Sequence, residues 1–365
     1  MVYPCLTIDL DKIEHNARAI VGLCNEHGIA VTGVTKGVCG HPEIAKAMLR
    51  GGVASIGDSR LENIGRVRSA GVNVPCMLLR VPPLSGVGGV VASADMSLNS
   101  EISVLAGLSQ AAQRLHKTHD VIIMVDLGDL REGVWPDDLI SLVRAASQLL
   151  AVRLKGLGTN LACFGGIVPT EANMNQLVEL AREVENVLGR TLEWISGANS
   201  SALELIAAGQ MPPQVNHARI GEAILLGRET VRRRPWPGTV QDAFILRAEV
   251  LECKRKPSVP VGKRGQDAFG RVPAFEDQGD RMRALLNVGR EDVCVEGLAP
   301  LEPGVTILGG SSGYLIVDVT DALGDIRVGS EIAFSVDYGA LLAAMTSEYV
   351  KKRPIKGGRP VCDSA

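Results

Sequence analysis

A lysine follows the first strongly apolar segment of the chain, and its position suggests nucleophilic chemistry. Lys36 comes directly after the run AVTGVT at residues 30–35. A lysine at the mouth of a buried sheet is partly desolvated, which lowers the pKa of its amine and favours the neutral, nucleophilic form. The same side chain could instead extend from a strand end into solvent. Lys36 alone therefore leaves both interpretations open.

A second group of residues, late in the chain, favours the catalytic interpretation. Arg219 is followed by IGEAILLG, in which Gly221 begins a predicted helix with free backbone N–H groups. The earlier segment SGANSS supplies the hydroxyl of Ser200 beside Asn199. Hydroxyls and free N–H groups of this kind bind phosphate. A lysine, a phosphate cradle and an arginine that could face a ring nitrogen are the parts that pyridoxal 5'-phosphate (PLP) requires. In the alternative, SGANSS is an ordinary loop and Arg219 forms a surface ion pair.

The segments around these residues predict the elements that must position them. Over the first two thirds of the chain, short apolar runs alternate with amphipathic helical segments, which is typical of parallel strands joined by helical crossovers. The eight predicted strands are residues 30–35, 53–57, 75–79, 95–98, 121–125, 153–158, 193–195 and 215–218.

Eight such units predict an α/β fold, a (β/α)8 TIM-type barrel, whose active site lies at the carboxyl ends of the strands. Strands one and eight are neighbours in a closed barrel, so Lys36 and Arg219 would share one mouth. The alternative, an open doubly wound sheet, usually carries a glycine fingerprint after its first strand. The turn here is TKGVCGH, which lacks that pattern.

The character of the chain changes after about residue 234. The segment RRRPWPG has the composition of a linker, and the runs beyond it are rich in Val, Ile and Leu between Gly, Pro and Asp. They predict a C-terminal, mainly antiparallel β domain. We therefore expect a PLP-binding barrel at residues 1–234, a β domain at 235–350 and a flexible tail at 351–365.

Composition excludes several other classes of protein. The net charge is -3, aromatic residues make up 3% of the chain, and no basic run is interleaved with aromatics, which disfavours nucleic-acid binding. No apolar stretch is long enough to span a bilayer, and no secretory signal precedes the first helix, so we expect a cytoplasmic protein. Eight cysteines without a C-x-x-C pair indicate reduced thiols, and the six histidines lack zinc-ligand spacing, so we expect no metal.

The residues with possible chemistry resemble those of the alanine racemase-like family, the fold-type III PLP enzymes, over nearly the whole chain. Lys36, after strand one, matches the family's PLP lysine. Arg219 and Gly221 match the arginine and the nearby glycine that the family carries on strand eight. The stretch VIIMVDLGDLREGV resembles the family's strand-five motif, and SSGYLIVDVTD resembles a conserved turn and strand of its β domain. The resemblance also implies PLP contacts at Arg131, Asn160, Asn199, Ser200 and Tyr349. The motifs MVDLGDLREG and LLGRET are most similar to the ornithine racemase branch.

The chain departs from the family pattern at three places. A tyrosine usually follows the PLP lysine, whereas GVCGH stands here. The Gly-Tyr-x-Asp-Gly turn that carries the second catalytic base appears as NVGREDV, with Arg290 in place of the tyrosine, and a strand-six histidine appears as Asn160. The second base is therefore open, and its candidates are Cys39, His41, Cys163, Asp292, Ser311 and Ser312.

The resemblance implies a racemase that removes and returns the Cα proton of ornithine or a related basic amino acid, with Lys36 acting on one face. It also implies a homodimer in which the partner's β domain completes the site. Side-chain recognition could involve Asp58, Asp129 or Glu222. Alternatives are an alanine or serine racemase, a decarboxylase, a D-threonine aldolase, a D-serine dehydratase, a PLP carrier, or a cofactor-free Schiff-base enzyme. Arg219 disfavours the decarboxylases, which usually place a glutamate there, and the β domain disfavours the single-barrel carriers.

Overall fold

The computed structural model describes residues 3–361 and separates them into two compact units. The barrel unit spans Leu10–Gln241, and the β unit combines the N-terminal residues up to Asp9 with the residues from Asp242 onward. The chain starts with strand β1 (Cys5–Asp9) of the β unit and continues into helix α1 (Leu10–Glu26) of the barrel unit.

Eight parallel strands close the barrel in chain order, which confirms the predicted (β/α)8 fold. They are β2 (Ala30–Val34), β3 (Ser55–Asp58), β4 (Cys76–Leu78), β5 (Met96–Asn99), β6 (His119–Met124), β7 (Val152–Gly158), β8 (Trp194–Asn199) and β9 (His217–Ile220). All eight overlap their predicted ranges. The prediction ended β8 four residues early, because the polar segment SGAN lacks the apolar run on which the strand assignment depended.

Helices cover the outside of the barrel, and their apolar stripes face its strands. After α1 they are α2 (Pro42–Arg50), α3 (Leu61–Ser69), α4 (Val87–Ser93), α5 (Ile102–Arg114), α6 (Leu139–Ala146), α7 (Glu171–Leu188), α8 (Leu203–Ala207) and α9 (Glu222–Leu226). Helix α7 shows how local sequence sets the bounds. The Thr170 hydroxyl accepts from the Asn173 N–H and the Asn173 side chain accepts from the Thr170 N–H, a reciprocal capping box. Gly189 ends the helix at a φ of 65°.

The predicted linker RRRPWPG is part of the barrel unit instead. Glu229 is 2% exposed, and its carboxylate accepts hydrogen bonds from the backbone N–H groups of Val231, Arg232 and Arg234. These bonds fold the segment into a compact loop, and the Trp236 N–H donates to the Gly227 carbonyl at 2.8 Å. The domain boundary therefore lies several residues beyond the predicted one.

The β unit contains β10 (Phe244–Pro257), β11 (Asp280–Leu286), β12 (Leu298–Pro300), β13 (Thr306–Gly310), β14 (Leu315–Asp318), β15 (Glu331–Val336), α10 (Tyr338–Thr346), β16 (Lys351–Lys356) and β17 (Arg359–Pro360). The sheet order is β13-β14-β11-β10-β1-β16-β17, with β15 pairing β10 and β12. Its pairs are antiparallel except for β1 with β16. None of the helices among residues 3–361 is long and apolar enough to cross a membrane.

The prediction of a flexible tail at 351–365 is wrong for residues 351–361. Strand β16 pairs in parallel with β1, placing Pro354 beside Ile8, and β17 turns back onto β16. The sequence KKRPIK has no apolar alternation that would predict this strand, because its pairing depends on backbone groups of a segment more than 340 residues earlier. Residues 362–365 lie outside the described residues.

Candidate functional site

Closure of the barrel brings the predicted lysine and arginine to neighbouring strands. Strand β2 pairs with β9 so that Thr32 lies opposite Arg219 and Gly33 opposite Ile220. Lys36 opens a short 3-10 turn directly after β2, at the carboxyl ends of the strands. The arrangement expected from an eight-stranded closure is therefore present.

Lys36 is exposed at the mouth of the barrel yet closely surrounded by protein. Burial of its ammonium lowers the pKa of Lys36, and the positive charge of Arg131 lowers it further. Cys163 and Glu132 oppose this shift, and the charge of Arg219 adds a smaller lowering effect. A lower pKa increases the fraction of neutral amine, the form that attacks a carbonyl or takes up a proton. This is the environment that the sequence predicted for a reactive lysine.

Arg219 is 6% exposed and forms its bonds with neutral groups. Its Nη1 donates to the Ser196 carbonyl at 2.9 Å and to the Ser196 hydroxyl, and its Nη2 donates to the Thr159 carbonyl at 2.5 Å. Among the described residues no carboxylate lies within ion-pair distance of this guanidinium. Burial lowers the pKa of Arg219 to about 10, so the group stays cationic at neutral pH. The alternative of a surface ion pair is excluded.

Thr35, the residue before Lys36, is held by Asp58 at the end of β3. Asp58 is 1% exposed, and its carboxylate accepts bonds from the Thr35 hydroxyl at 2.8 Å, the Asn63 amide at 2.9 Å and the Arg60 N–H at 3.0 Å. Burial raises the pKa of Asp58, although these bonds partly offset the effect. Asp58 therefore positions the turn that carries Lys36, which leaves little of its carboxylate for a substrate ammonium.

The motif MVDLGDLREG forms a tight loop that carries Arg131 to the same end of the barrel. The Val134 N–H donates to the Met124 carbonyl at 2.8 Å, and the Asp126 N–H donates to the Val134 carbonyl at 3.0 Å. Gly133 has a φ of 143°, and a Cβ there would lie 2.3 Å from the Asp126 nitrogen, so glycine is required. Arg131 pairs with Glu132 and donates to the Cys163 sulfur at 3.1 Å.

Asp129 holds the loop at residues 163–167, which follows β7. This carboxylate is 1% exposed and accepts from the backbone N–H groups of Cys163 at 3.3 Å, Phe164 at 2.8 Å and Ile167 at 3.2 Å. Burial alone would raise the pKa of Asp129, but these bonds outweigh it and lower the pKa. Asp129 thus has a structural role, and Glu222, another predicted specificity residue, pairs with Arg233 at 2.8 Å.

The predicted phosphate residues also meet at this end of the barrel. The Ser200 hydroxyl accepts from the Ala223 N–H at 3.2 Å, which brings the end of β8 beside the turn at Gly221, the residue that precedes α9. The Asn199 amide donates to the Asn160 side chain at 3.2 Å and to the Leu161 carbonyl at 2.9 Å. Its oxygen accepts from the Ser201 N–H at 2.8 Å, so Asn199 mainly shapes the loop.

The candidates for the second base divide between the two units. In the barrel unit, Cys39 ends the turn after Lys36 with a φ of 52°, His41 precedes α2, and Cys163 is exposed. In the β unit, Asp292 is 5% exposed and its carboxylate accepts from the Gly289 N–H and the Ser347 hydroxyl, which is a structural arrangement.

The remaining β-unit candidates stand in one hairpin turn. Ser311 and Ser312 follow β13, and their carbonyls accept from the N–H groups of Arg290 and Glu291, so the NVGREDV turn packs on this hairpin. Tyr349, the predicted PLP contact, is 67% exposed in the same unit. The assignment of the second base remains a prediction.

Sequence reasoning missed a set of buried polar side chains inside the barrel, because it treated the strand bodies as apolar. They are Thr32, Ser55, Thr159, Ser196 and His217. The available signal was the alternation of polar with apolar residues within AVTGV, EWISGAN and VNHAR.

Comparison with known proteins identifies the family. A family model described as the N-terminal domain of alanine racemase matches residues 8–229, more than half of the chain. The chain belongs to the alanine racemase family. Within this family it is 41% identical to an ornithine racemase of Acetoanaerobium sticklandii, covering 96% of this chain and 99% of that protein. It is 40% identical to a lysine racemase of Thermotoga maritima, covering 96% and 98% of the two chains.

Solved structures of the alanine racemase family share the fold. An alanine racemase from Bacillus anthracis superposes with a TM-score of 0.76 at 17% identity, covering 98% of this chain and 96% of that one. An alanine racemase from Bartonella henselae with covalently bound pyridoxal phosphate gives a TM-score of 0.73 at 19% identity, covering 97% and 100%.

Proposed function

We propose that this member of the alanine racemase family interconverts the L- and D-forms of ornithine or a related basic amino acid, with PLP held through Lys36. Amino-acid racemase activity follows from its full-length likeness to two racemases. The observation that carries the site assignment is the position of Lys36 in the turn that follows β2, the strand that pairs with the strand of buried Arg219.

The described residues fit PLP. Arg219 uses three of its five N–H groups on protein acceptors, and the two others, on Nε and Nη2, find no acceptor among the residues described. A buried cation in this state requires a polar partner, and a pyridine nitrogen supplies one. Ser200 with the Gly221 backbone would hold the phosphate, and Lys36 the aldehyde carbon. When bound, PLP acidifies the Cα–H of an attached amino acid.

Within this site the protein moves and holds protons. The neutral amine of Lys36, favoured by its lowered pKa, takes up the Cα proton on one face and returns it. Arg219 remains positively charged and therefore disfavours a proton on any ring nitrogen that faces it. By keeping that nitrogen unprotonated, Arg219 would favour prompt return of the proton to Cα over side reactions.

Inversion requires a proton donor on the opposite face of Cα. We propose that a second copy of this chain supplies or positions it through its β unit, in a homodimer. The three carboxylates weighed for recognition of the substrate's side chain, Asp58, Asp129 and Glu222, each make structural bonds. The preference for a basic amino acid is therefore supported by the two relatives rather than by these carboxylates.

A chiral assay over L- and D-ornithine, lysine, alanine, serine and threonine tests the proposal with purified protein loaded with PLP. We expect ornithine or lysine to racemise much faster than alanine. Borohydride reduction and peptide mapping should place a pyridoxyl group on Lys36, and Lys36→Ala should lose the visible absorbance and the turnover. Lys46→Ala, at a helical ion pair with Glu43, is the matched control and should keep both. Faster turnover of alanine, or cleavage of threonine, would refute the substrate assignment.

A further inference from the structure

A chain of buried hydrogen bonds extends from Arg219 across four neighbouring strands, β8, β9, β2 and β3. His217, on β9, is 1% exposed, with its Nδ1 2.6 Å from the Ser196 hydroxyl and its Nε2 2.8 Å from the Thr32 hydroxyl. The Thr32 hydroxyl is in turn 2.6 Å from that of Ser55. The Ser196 hydroxyl also accepts from Arg219. We refer to Ser196, His217, Thr32 and Ser55 as the relay.

The direction of these bonds follows from the chemistry of arginine. A guanidinium only donates, so the Ser196 oxygen is an acceptor toward Arg219. The Ser196 proton then points away from the cation, and the one other partner of this hydroxyl among the described residues is the His217 Nδ1. Nδ1 is therefore the unprotonated nitrogen, and Nε2–H donates to Thr32, which donates to Ser55. Ser196, His217 and Thr32 each thus accept a hydrogen bond on the side toward Arg219 and donate one on the side away from it.

His217 must remain neutral for this pattern to hold. Burial lowers the pKa of His217 well below its usual value, and the charges of Arg219 and Lys155 lower it further. The indole of Trp194 stacks on the imidazole, with centroids 4.1 Å apart and an interplanar angle of 11°. The ring is therefore fixed in place, uncharged, beside the arginine.

We infer that Thr32, Ser196 and His217 are positioning residues that fix Arg219 through dipoles rather than through a carboxylate. A carboxylate at Ser196 would orient the guanidinium equally well, but it would neutralise the charge. The relay orients the Arg219 guanidinium without neutralising it. Its full positive charge therefore acts on the group that its two remaining N–H groups face. This inference rests on the proposed function in one respect, that the group facing Arg219 is PLP. The relay itself consists of hydrogen bonds within the barrel unit and does not depend on PLP.

Two substitutions of Thr32 separate a positioning role from a merely structural one. Thr32→Val removes the acceptor of the Nε2–H at nearly constant volume, whereas Thr32→Ser keeps it. The unrelated pair Ser97 and His119, with Oγ and Nε2 2.9 Å apart in the same barrel, provides a matched control in Ser97→Ala. Ser97→Ala breaks a buried serine–histidine bond that does not involve Arg219.

The first readout is nitrogen NMR of histidine in protein freed of PLP. We expect His217 as the Nε2–H tautomer, unprotonated down to acidic pH, and a changed Arg219 Nε resonance in Thr32→Val but not in Thr32→Ser or Ser97→Ala. A His217 with its proton on Nδ1, or an Arg219 resonance unchanged in Thr32→Val, overturns the inference. This arm does not depend on whether PLP binds.

The second readout is the visible spectrum of PLP-loaded protein as a function of pH. We expect Thr32→Val to shift the midpoint of the ring-nitrogen titration toward higher pH and to lower kcat by about tenfold, the scale of one buried hydrogen bond, with a smaller change in KM. Thr32→Ser should restore both. Equal effects of Thr32→Val and Ser97→Ala would overturn the inference, because they would indicate general loosening of the barrel. If the wild type does not bind PLP, the proposed function is refuted. The NMR result on PLP-free protein would still decide whether the relay positions Arg219.

Discussion

The Thr35 hydroxyl donates a 2.8 Å hydrogen bond to the Asp58 carboxylate, and Thr35 is the residue immediately before Lys36. The end of the second barrel strand therefore determines where Lys36 starts its turn. Asp58 is almost completely buried and has no ion-pair partner among the described residues, so its three hydrogen bonds replace the water that it has lost.

Loss of the Asp58 carboxylate should weaken the site as well as the fold. Asp58→Ala leaves the donors of Thr35, Asn63 and Arg60 unpaired, at a cost of about 2–3 kcal/mol in the free energy of unfolding. We also expect roughly tenfold weaker PLP binding, since Lys36 loses its fixed turn. Urea unfolding and a spectrophotometric PLP titration measure the two effects. The control is Glu62→Ala, which removes an exposed carboxylate, and unchanged PLP affinity in Asp58→Ala would contradict the positioning role.

The pKa of Lys36 should respond to the charge of Arg131. Because the positive charge of Arg131 lowers the pKa of Lys36, Arg131→Gln should raise that pKa and slow acylation of Lys36 near neutral pH. Arg131→Lys, which keeps the charge, should behave like the wild type. The measurement is the pH dependence of lysine labelling in protein free of PLP, followed by mass spectrometry. If Lys36 labels with the pH profile of surface lysines in the wild type, the prediction fails.

The charge of Arg219 should determine how PLP reacts. Arg219→Glu replaces the cation by a carboxylate, which favours a protonated ring nitrogen and a stronger electron sink. We expect racemisation to slow and a long-wavelength absorbance band to build up with substrate. Arg219→Lys keeps a cation and should not produce that band. Normal rates and a normal spectrum in Arg219→Glu would show that Arg219 does not face the ring.

Asp129 should make the loop at residues 163–167 sensitive to acid. Its folded-state pKa is lowered by the backbone N–H bonds, so its contribution to stability is full above the unfolded pKa of about 3.9 and is lost as pH falls through the folded value. Asp129→Asn should destabilise the protein at neutral pH, by on the order of 2 kcal/mol, and reduce this acid dependence. Urea unfolding at several pH values measures both. An unchanged pH profile in Asp129→Asn would rule out Asp129 as the titrating group.

Solvent deuterium tests the second base. A two-base racemase incorporates deuterium mainly into the product enantiomer at early times. Among the barrel-unit candidates, Cys163 is exposed, and its sulfur accepts a 3.1 Å hydrogen bond from Arg131 at the same end of the barrel as Lys36. We therefore expect Cys163→Ala to stop inversion more strongly than Cys39→Ala while exchange from one enantiomer continues. Cys253→Ala, in the β unit, is the control. Full inversion in Cys163→Ala would leave the β-unit serines as the candidates to test.

The sequence by itself determined the barrel and its two central residues. Strand and helix periodicities are local, so eight alternating units predicted the closed sheet, and closure alone placed Lys36 beside Arg219. The bounds of α7 are also set locally, since Thr170 and Asn173 at its start and Gly189 at its end are close neighbours of the helix in the chain.

Only the tertiary structure decided which buried polar groups meet. The pairing of residues 351–355 with β1, the hydrogen bonds of Asp129 to residues 163–167 and the relay behind Arg219 each join segments that are distant in the chain. A hydrogen bond depends on distances and angles of a few tenths of an ångström, which no residue pattern encodes. The polar residues within the strands were visible in the sequence, but their partners depended on how neighbouring strands align in register.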